Sequence, residues 1–146
     1  MVKLVEQLKQ DYPQFTFEPS DRARWVDSEH KIYYTDNAID TLHELGHALL
    51  SHKDFIQDVE LLQMERAAWR VATRLAPHYG YRIDDDDIEE ALDGYRNWLH
   101  DRSLCPKCHQ TGMQSRNDLS YYCLNCNARW TANDARNCAL RRHIIK

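Results

Sequence analysis

Hydrophobic residues recur at helical spacing in four stretches of this chain. The repeat is clearest where Leu61, Met64, Ala68, Val71 and Leu75 follow one another at intervals of three or four residues. Such spacing places apolar side chains on one face of a helix. We therefore predict helices over Val2–Gln10, Ala38–His52 and Gln57–Leu75, and a fourth that starts with the acidic run Asp84–Asp87 and continues over Ile88–Leu99.

Between the first two predicted helices, the pattern changes to short runs rich in β-branched and aromatic residues. These runs predict strands over Phe15–Phe17, Arg22–Val26 and Lys31–Thr35. The polar residues 27–30 predict the turn of a hairpin between the last two strands. The side chains of Thr35-Asp36-Asn37 are typical of a helix N-cap, so the hairpin should lead directly into the helix Ala38–His52. Segregated strands and helices of this kind predict an α+β fold.

Charge and cysteine content divide the chain into two parts. Residues 1–100 carry 11 Lys and Arg against 20 Asp and Glu, a net charge of −9, whereas residues 101–146 carry 8 against 3, a net charge of +5. All five cysteines lie in the second part. We therefore predict one domain over residues 1–100 and a second over residues 101–146.

Composition also excludes some classes of protein. The 146 residues, 42% of them hydrophobic, suit a folded chain of one core and a small appendage. About 18 consecutive apolar residues occur nowhere, and Met1–Lys9 lacks the apolar segment of an export signal. We expect a cytoplasmic protein without a membrane partner; the oligomeric state stays open.

The predicted second helix carries His43-Glu44-Leu45-Gly46-His47, a His-Glu-x-x-His pattern. Four residues turn a helix by about 400°, so the two imidazoles project in nearly the same direction and can bind one zinc ion. Glu44 lies beside them as the candidate general base of a zinc peptidase. Gly46 weakens a helix by about 1 kcal/mol relative to alanine, which indicates the close approach of another element.

Spacing alone leaves the third zinc ligand open. On a continuous helix, His52 would lie about 140° from His47 and is expected to be a supporting or solvent-facing residue. Glu60 and Glu65 on the next predicted helix flank its apolar stripe on opposite sides, and either could reach the imidazoles. Candidates for stabilising a substrate oxyanion are Tyr33, Tyr34, His52, His78 and Tyr79.

The segment Thr41–His52, preceded by a predicted hairpin and followed by Glu65–Ala72, resembles the ImmA/IrrE family of metallopeptidases. The resemblance covers roughly residues 10–100 and implies a zincin-like domain in which Glu65 is the third ligand beside His43 and His47. It also implies a protein substrate, a DNA-binding repressor. The chain departs from the family pattern with Trp69 where asparagine is usual and Val71 where phenylalanine is usual. A SprT-like protease acting on DNA-bound proteins is an alternative, and would need a third histidine, for which His78 is the candidate.

The second part of the chain contains two Cys-x-x-Cys pairs separated by 14 residues. Cys105, Cys108, Cys123 and Cys126 have the spacing of a zinc ribbon, in which four thiolates close a structural zinc site. A domain of this size can bury only a small hydrophobic core, and we therefore expect the metal to hold it folded. Cys138 is expected to be a spare thiol in a short terminal helix. The chain should thus bind two Zn²⁺ ions, one catalytic and one structural.

Basic and aromatic residues occur together in the predicted ribbon, a mixture that suits contact with nucleic acid. The same aromatics could instead form the core of a ribbon that binds protein, and a regulator with an inactive peptidase site is a further alternative. The residues concerned are Arg116, Arg129, Arg136, Arg141, Arg142 and Lys146, with Tyr121, Tyr122 and Trp130.

Overall fold

A computed structural model describes residues 1–135 and 139–146 of the chain. Its helices are α1 (Val2–Asp11), α2 (Ala38–Leu49), α3 (Asp58–Leu75) and α4 (Asp85–Ser103), with short 3-10 helices at Asp27–Glu29 and Ala76–Tyr79. Its strands are β1 (Thr16–Pro19), β2 (Arg24–Val26), β3 (Lys31–Tyr34), β4 (Met113–Gln114), β5 (Tyr121–Tyr122), β6 (Arg129–Ala132) and β7 (Arg142–Ile145). This arrangement confirms the predicted α+β class. None of the described helices combines the length and the hydrophobicity needed to cross a membrane.

The chain folds into two compact units. The first contains Met1–Asp54 and Gln63–Glu89, and the second contains Phe55–Leu62 and Glu90–Lys146. Helix α4 contributes to both units and continues past residue 100, so the change of composition at that point does not coincide with a break in secondary structure. A helix is held by local hydrogen bonds and side-chain packing, neither of which depends on the average charge of the sequence around it.

In the first unit, a three-stranded sheet has the order β1-β3-β2. β2 and β3 form the predicted hairpin, paired antiparallel, and the polar residues between them form the 3-10 helix Asp27–Glu29. β1 joins the other side of β3 in parallel. β2 is therefore an edge strand, and the central strand buries Ile32 completely. The alternation of hydrophobic and polar residues did not predict that β1 would pair with β3 in parallel.

Helix α2 begins where the sequence predicts. The Asn37 side chain accepts hydrogen bonds from the backbone N–H groups of Ile39 (2.9 Å) and Asp40 (3.3 Å), which confirms an N-cap in this segment. The helix buries Leu42 and Leu45 completely. It ends at Leu49, three residues earlier than predicted, for reasons that concern the site below.

In the second unit, β4, β5, β6 and β7 form an antiparallel sheet in chain order. Its core is small and consists of Cys105, Tyr121, Cys123, Ala128 and Trp130, with the rings of Tyr121 and Trp130 stacked 5.6 Å apart. The predictions for Arg136 and Cys138 lie outside the described residues, but the residues that follow form strand β7 rather than a terminal helix. Alternating pairs with β6 hold this segment extended.

A buried ion pair anchors the first turn of α3 in the second unit. Asp58 accepts hydrogen bonds from Arg102 Nε (2.7 Å) and from the hydroxyl of Tyr121 (2.6 Å), and all three residues are at least nine-tenths buried. Burial raises the pKa of Tyr121, and the bond to Asp58 raises it further, so the hydroxyl remains a proton donor. The carboxylate is thus fully paired within the protein, as a buried charge requires.

Candidate metal centres

His43, His47 and Glu65 come together in the first unit. The two histidines lie one turn apart on α2, and the Nε2 atoms of their rings are 3.1 Å apart. Glu65, on α3, places Oε2 3.0 Å from His43 Nε2 and Oε1 3.4 Å from His47 Nε2. All three residues are more than nine-tenths buried. Two imidazole nitrogens and a carboxylate thus converge on one point.

The donor set and its spacing fit a zinc ion. Tetrahedral zinc with bonds of about 2.0–2.1 Å holds neighbouring ligand atoms about 3.3–3.4 Å apart. The three separations of 3.0, 3.1 and 3.4 Å lie within about 0.4 Å of that value. The group offers three ligands, which leaves one tetrahedral position for a substrate or a water molecule. Among the described residues, this is one of two clusters with metal-binding geometry, and the other is the cysteine cluster.

A close contact between α2 and α3 makes this arrangement possible. A Cβ added at Gly46 would lie 2.5 Å from the backbone oxygen of Ala68, so only glycine fits there. Ala68 is fully buried and lies one turn after Glu65 on α3. The two backbones therefore touch at the level of the ligands, which lets a carboxylate reach both imidazoles. The prediction that Gly46 marks the close approach of another element is confirmed.

The alternative ligand Glu60 has a different role. Its Oε2 accepts hydrogen bonds from the backbone N–H groups of Ile56 (2.8 Å) and Gln57 (3.3 Å). A carboxylate at this position caps free N–H groups and opposes the dipole at the N-terminus of α3. His78, the ligand required by the SprT-like alternative, is likewise not part of the cluster, and its ring packs edge-on against Tyr79.

The protonation of Glu65 suits a metal ligand. Burial by itself raises the pKa of this carboxyl, but the hydrogen bonds from His43 and His47 outweigh burial and lower the pKa to about 2. The group is therefore ionised at neutral pH. A carboxylate with two imidazoles gives a net charge of −1, which a divalent cation would neutralise and reverse.

His52 contacts the cluster through the ring of His47. Its Nδ1 lies 2.8 Å from Nδ1 of His47, so one ring donates and the other accepts. If Nε2 of His47 faces the metal, its Nδ1 carries the proton and donates to His52, which fixes the orientation of the ligand. Burial lowers the pKa of His52, and the nearby His47 lowers it further, so the ring that accepts is neutral.

The end of α2 explains how His52 reaches His47. The backbone N–H of His52 bonds to the carbonyl of His47 (3.0 Å), and that of Ser51 bonds to the carbonyl of Ala48 (3.0 Å). These two bonds form a Schellman motif, and Ser51 takes the left-handed conformation (φ 52°) that usually belongs to glycine. The chain turns back at this point, whereas the angle of about 140° between His47 and His52 assumed that the helix continued.

Glu44 is fixed by the edge strand of the sheet. Its Oε2 accepts a hydrogen bond of 2.7 Å from the backbone N–H of Trp25 in β2. The indole N–H of Trp25 donates to the carbonyl of His52 at 3.0 Å. Trp25 therefore links the candidate general base to the segment that supports His47. This role of Trp25 could not be predicted from the sequence, because a backbone donor on an edge strand leaves no signature in the side chain.

Trp69 also contacts the candidate site. Its ring stacks on that of His43, with centroids 4.1 Å apart and planes 27° apart. The Nδ1 atom of His43 is buried and has no hydrogen-bond partner among the described residues. The ring of His43 is thus held by packing, whereas that of His47 is held by a hydrogen bond. Trp69 is also a position where the chain departs from the ImmA/IrrE pattern.

Several candidates for stabilising an oxyanion are occupied by other contacts. The hydroxyl of Tyr33 donates to Glu29 at 2.9 Å, and that of Tyr79 donates to Asp11 at 2.7 Å. His52 is already paired with His47. None of these three groups is directed to a substrate oxygen by the contacts it makes.

The second candidate metal centre is the cluster of Cys105, Cys108, Cys123 and Cys126. Sγ of Cys105 lies 3.6 Å from that of Cys126, and Sγ of Cys108 lies 3.4 Å from that of Cys123. These distances exceed the disulfide length of about 2.05 Å and approach the sulfur separation of about 3.8 Å around tetrahedral zinc. Hydrogen bonds from Asn125 and from the backbone of Gln110 lower the pKa of Cys108 to about 6. The cluster is compatible with zinc, and with all four positions taken it leaves none for a substrate.

No family model, no curated protein and no solved structure matches this chain.

Proposed function

We propose that this protein is a zinc-dependent endopeptidase that hydrolyses peptide bonds of a protein substrate. The observation that supports this proposal is the buried cluster of His43, His47 and Glu65 beside a carboxylate, Glu44, on the same helix as the two histidines. Three ligands rather than four, with an adjacent general base, are characteristic of a hydrolytic rather than a structural zinc site. The resemblance of residues 10–100 to the ImmA/IrrE family points to the same chemistry.

A zinc ion held by these residues would acidify a water molecule and polarise the substrate carbonyl. Glu44 then moves the protons. As the water oxygen adds to the carbonyl carbon, one water proton passes to a carboxylate oxygen of Glu44. Glu44 returns this proton to the amide nitrogen as the C–N bond breaks, which leaves an amine and a carboxylic acid. The backbone N–H of Trp25 holds Oε2 of Glu44, so Oε1 is the atom available for this transfer.

A DNA-binding repressor is the substrate that the family resemblance implies. We propose a repressor of this kind as the substrate, and the described residues around the site do not define which of its peptide bonds is cleaved. The test therefore starts with an unspecific substrate, such as fluorescently labelled, unfolded casein, and continues with a peptide library that reports the residues around the cleaved bond.

The decisive variant is Glu44→Gln, which keeps the size of the side chain and removes the proton acceptor. General acid–base catalysis contributes about 10²–10⁴-fold to a rate, so we expect cleavage to fall at least 100-fold while both zinc ions are retained. Glu6→Gln, an exposed change in α1, is the matched control and should cleave like the parent chain. Equal cleavage by Glu44→Gln and by the control would refute the proposed role of Glu44.

Zinc content separates the peptidase from its alternatives. We expect two zinc ions per chain, and loss of one of them in Glu65→Ala but not in His78→Ala. The opposite pattern, with cleavage stimulated by DNA, would favour a SprT-like protease. A chain that holds two zinc ions but cleaves neither casein nor any peptide would instead be a regulator with an inactive site.

A further inference from the structure

The second unit presents one face of its sheet to solvent. Residues of a strand alternate between the two faces, so Tyr121 and Trp130 point into the core while their neighbours Tyr122 and Arg129 point outward. The pairing Met113–Tyr122, Tyr122–Arg129 and Arg129–Ile145 places these four residues in one row across β4, β5, β6 and β7. Met113 is 53% exposed and Ile145 44% exposed. An aromatic ring thus lies between a methionine and an arginine on an open sheet face.

A groove adjoins this row. It has a volume of about 680 Å³ and is lined by Tyr122 and Arg129 together with Arg116, Asn117, Leu124 and Asn127. Two guanidinium groups, three side-chain amides (Gln114, Asn117 and Asn127) and no carboxylate line it. Arg129 bonds to Asp118 at 3.0 Å and Arg116 to the amide oxygen of Gln57 at 2.9 Å, and these contacts hold both guanidinium groups in place. Both arginines are exposed and retain N–H groups that can donate to an anion.

The charge of this part of the chain favours an anionic partner. Residues 101–146 carry a net charge of +5. Four cysteine thiolates around one Zn²⁺ would add a charge of −2, so about +3 would remain in the zinc-loaded state. Exposed cations that face a groove without carboxylates attract polyanions and bind them less tightly as salt rises.

We propose that this sheet face and groove bind single-stranded nucleic acid. The half-exposed ring of Tyr122 provides a stacking surface for a base, and its hydroxyl contact with the sulfur of Met113 (3.8 Å) helps to keep the ring along the sheet. Arg116 and Arg129 would contact phosphates on either side of that base, and the amides of Asn117 and Asn127 can bond to base edges. An acidic polypeptide would use the two arginines but has no base to stack on Tyr122. A single strand exposes its bases, whereas a duplex does not.

The test uses the full, zinc-loaded chain and measures the fluorescence anisotropy of a labelled 20-nucleotide oligo(dT). We expect saturable binding at low salt, and a slope of log affinity against log salt of about −0.7 for each phosphate contacted. Tyr122→Ala should weaken binding at least about fivefold, whereas Tyr122→Phe should stay within twofold of the parent chain. A duplex of the same length should bind more weakly.

Charge variants test the groove. Arg116→Gln and Arg129→Gln should each reduce the magnitude of the salt slope by about 0.7. Arg82→Gln removes the same charge from an exposed position in the first unit and should change neither the affinity nor the slope. Because Arg129 bonds to Asp118, the zinc content of Arg129→Gln is measured as well, and Arg116→Gln provides the result if that variant loses its metal.

Three results would overturn the proposal. The first is the absence of saturable binding to oligo(dT) at 50 mM salt or below. The second is equal affinity of the parent chain and Tyr122→Ala. The third is displacement of oligo(dT) by poly-glutamate at an equal concentration of charge, which would assign this face to an acidic protein. None of these results depends on peptidase activity, so this proposal and the proposed function can fail separately.

Discussion

Replacement of Gly46 by alanine tests how α2 and α3 bring His43, His47 and Glu65 together. The added Cβ would lie 2.5 Å from the backbone oxygen of Ala68 and 3.1 Å from its carbonyl carbon. Non-bonded carbon atoms pack at about 3.5–4.0 Å, so the helices must separate by about 1 Å. The obstacle is backbone, and no side-chain rotation relieves it. Glu65 lies one turn before Ala68 on α3 and would move with it.

The expected magnitude follows from two opposing effects. Alanine favours a helix over glycine by about 1 kcal/mol, while overpacking a core costs about 1–3 kcal/mol, so we expect a net loss of up to about 2 kcal/mol in the free energy of unfolding. The loss in metal binding should be more evident. Zinc ligands keep their distances within about 0.2 Å, so a displacement of about 1 Å should lower the affinity of this site at least tenfold.

Zinc affinity is measured by competition with a chromogenic chelator, and stability by thermal unfolding in the same buffer. The expected result is one weakened zinc site and one unchanged site, because the cysteine cluster does not involve Gly46. Gly94→Ala is the matched control: this glycine is also inside a helix, and a Cβ there meets no atom within 4 Å. It should raise stability by up to about 1 kcal/mol and leave both sites intact. If Gly46→Ala behaves like Gly94→Ala, the inferred dependence of the centre on this contact is wrong.

Two further variants test contacts that only the structure revealed. Asp58→Ala leaves the guanidinium of Arg102 buried without its carboxylate partner, so the free energy of unfolding should fall by about 3–5 kcal/mol. The control Asp101→Ala changes an exposed residue and should alter the free energy of unfolding by less than about 0.5 kcal/mol. Urea unfolding followed by fluorescence compares the two variants. His52→Ala removes the hydrogen-bond partner of His47 Nδ1 and should lower zinc affinity about 10- to 100-fold. The zinc content at saturating metal should not change. An unchanged affinity would mean that His52 does not orient His47.

Features that depend on neighbouring residues were predictable from the sequence. The spacing of His43 and His47 places both imidazoles on one helix face whatever surrounds the helix, and two Cys-x-x-Cys pairs bring four sulfurs together in a short loop-rich segment. The N-cap at Asn37 and the presence of a glycine, Gly46, inside a helix can likewise be recognised from a few neighbouring residues. The same is true of the β2–β3 hairpin, because its two strands are neighbours in the chain.

Contacts between distant elements were decided by the tertiary structure. Periodicity could not distinguish Glu60 from Glu65, since both flank the apolar stripe of α3. The difference arises because Ala68 packs against Gly46, which directs Glu65 to the histidines, while Glu60 caps its own helix. The family resemblance indicated Glu65, but spacing did not.

His52 and Trp25 show most directly why contacts between distant elements could not be predicted from the sequence. The position of His52 depends on where α2 ends, and a Schellman motif at a non-glycine residue, Ser51, ends it. Trp25 holds Glu44 through a backbone N–H that is free only because β2 is an edge strand. The sequence by itself therefore determined which residues can bind metal. Tertiary structure decided which carboxylate joins them and what holds each ligand in place, because those choices depend on packing and backbone hydrogen bonds between elements far apart in the chain.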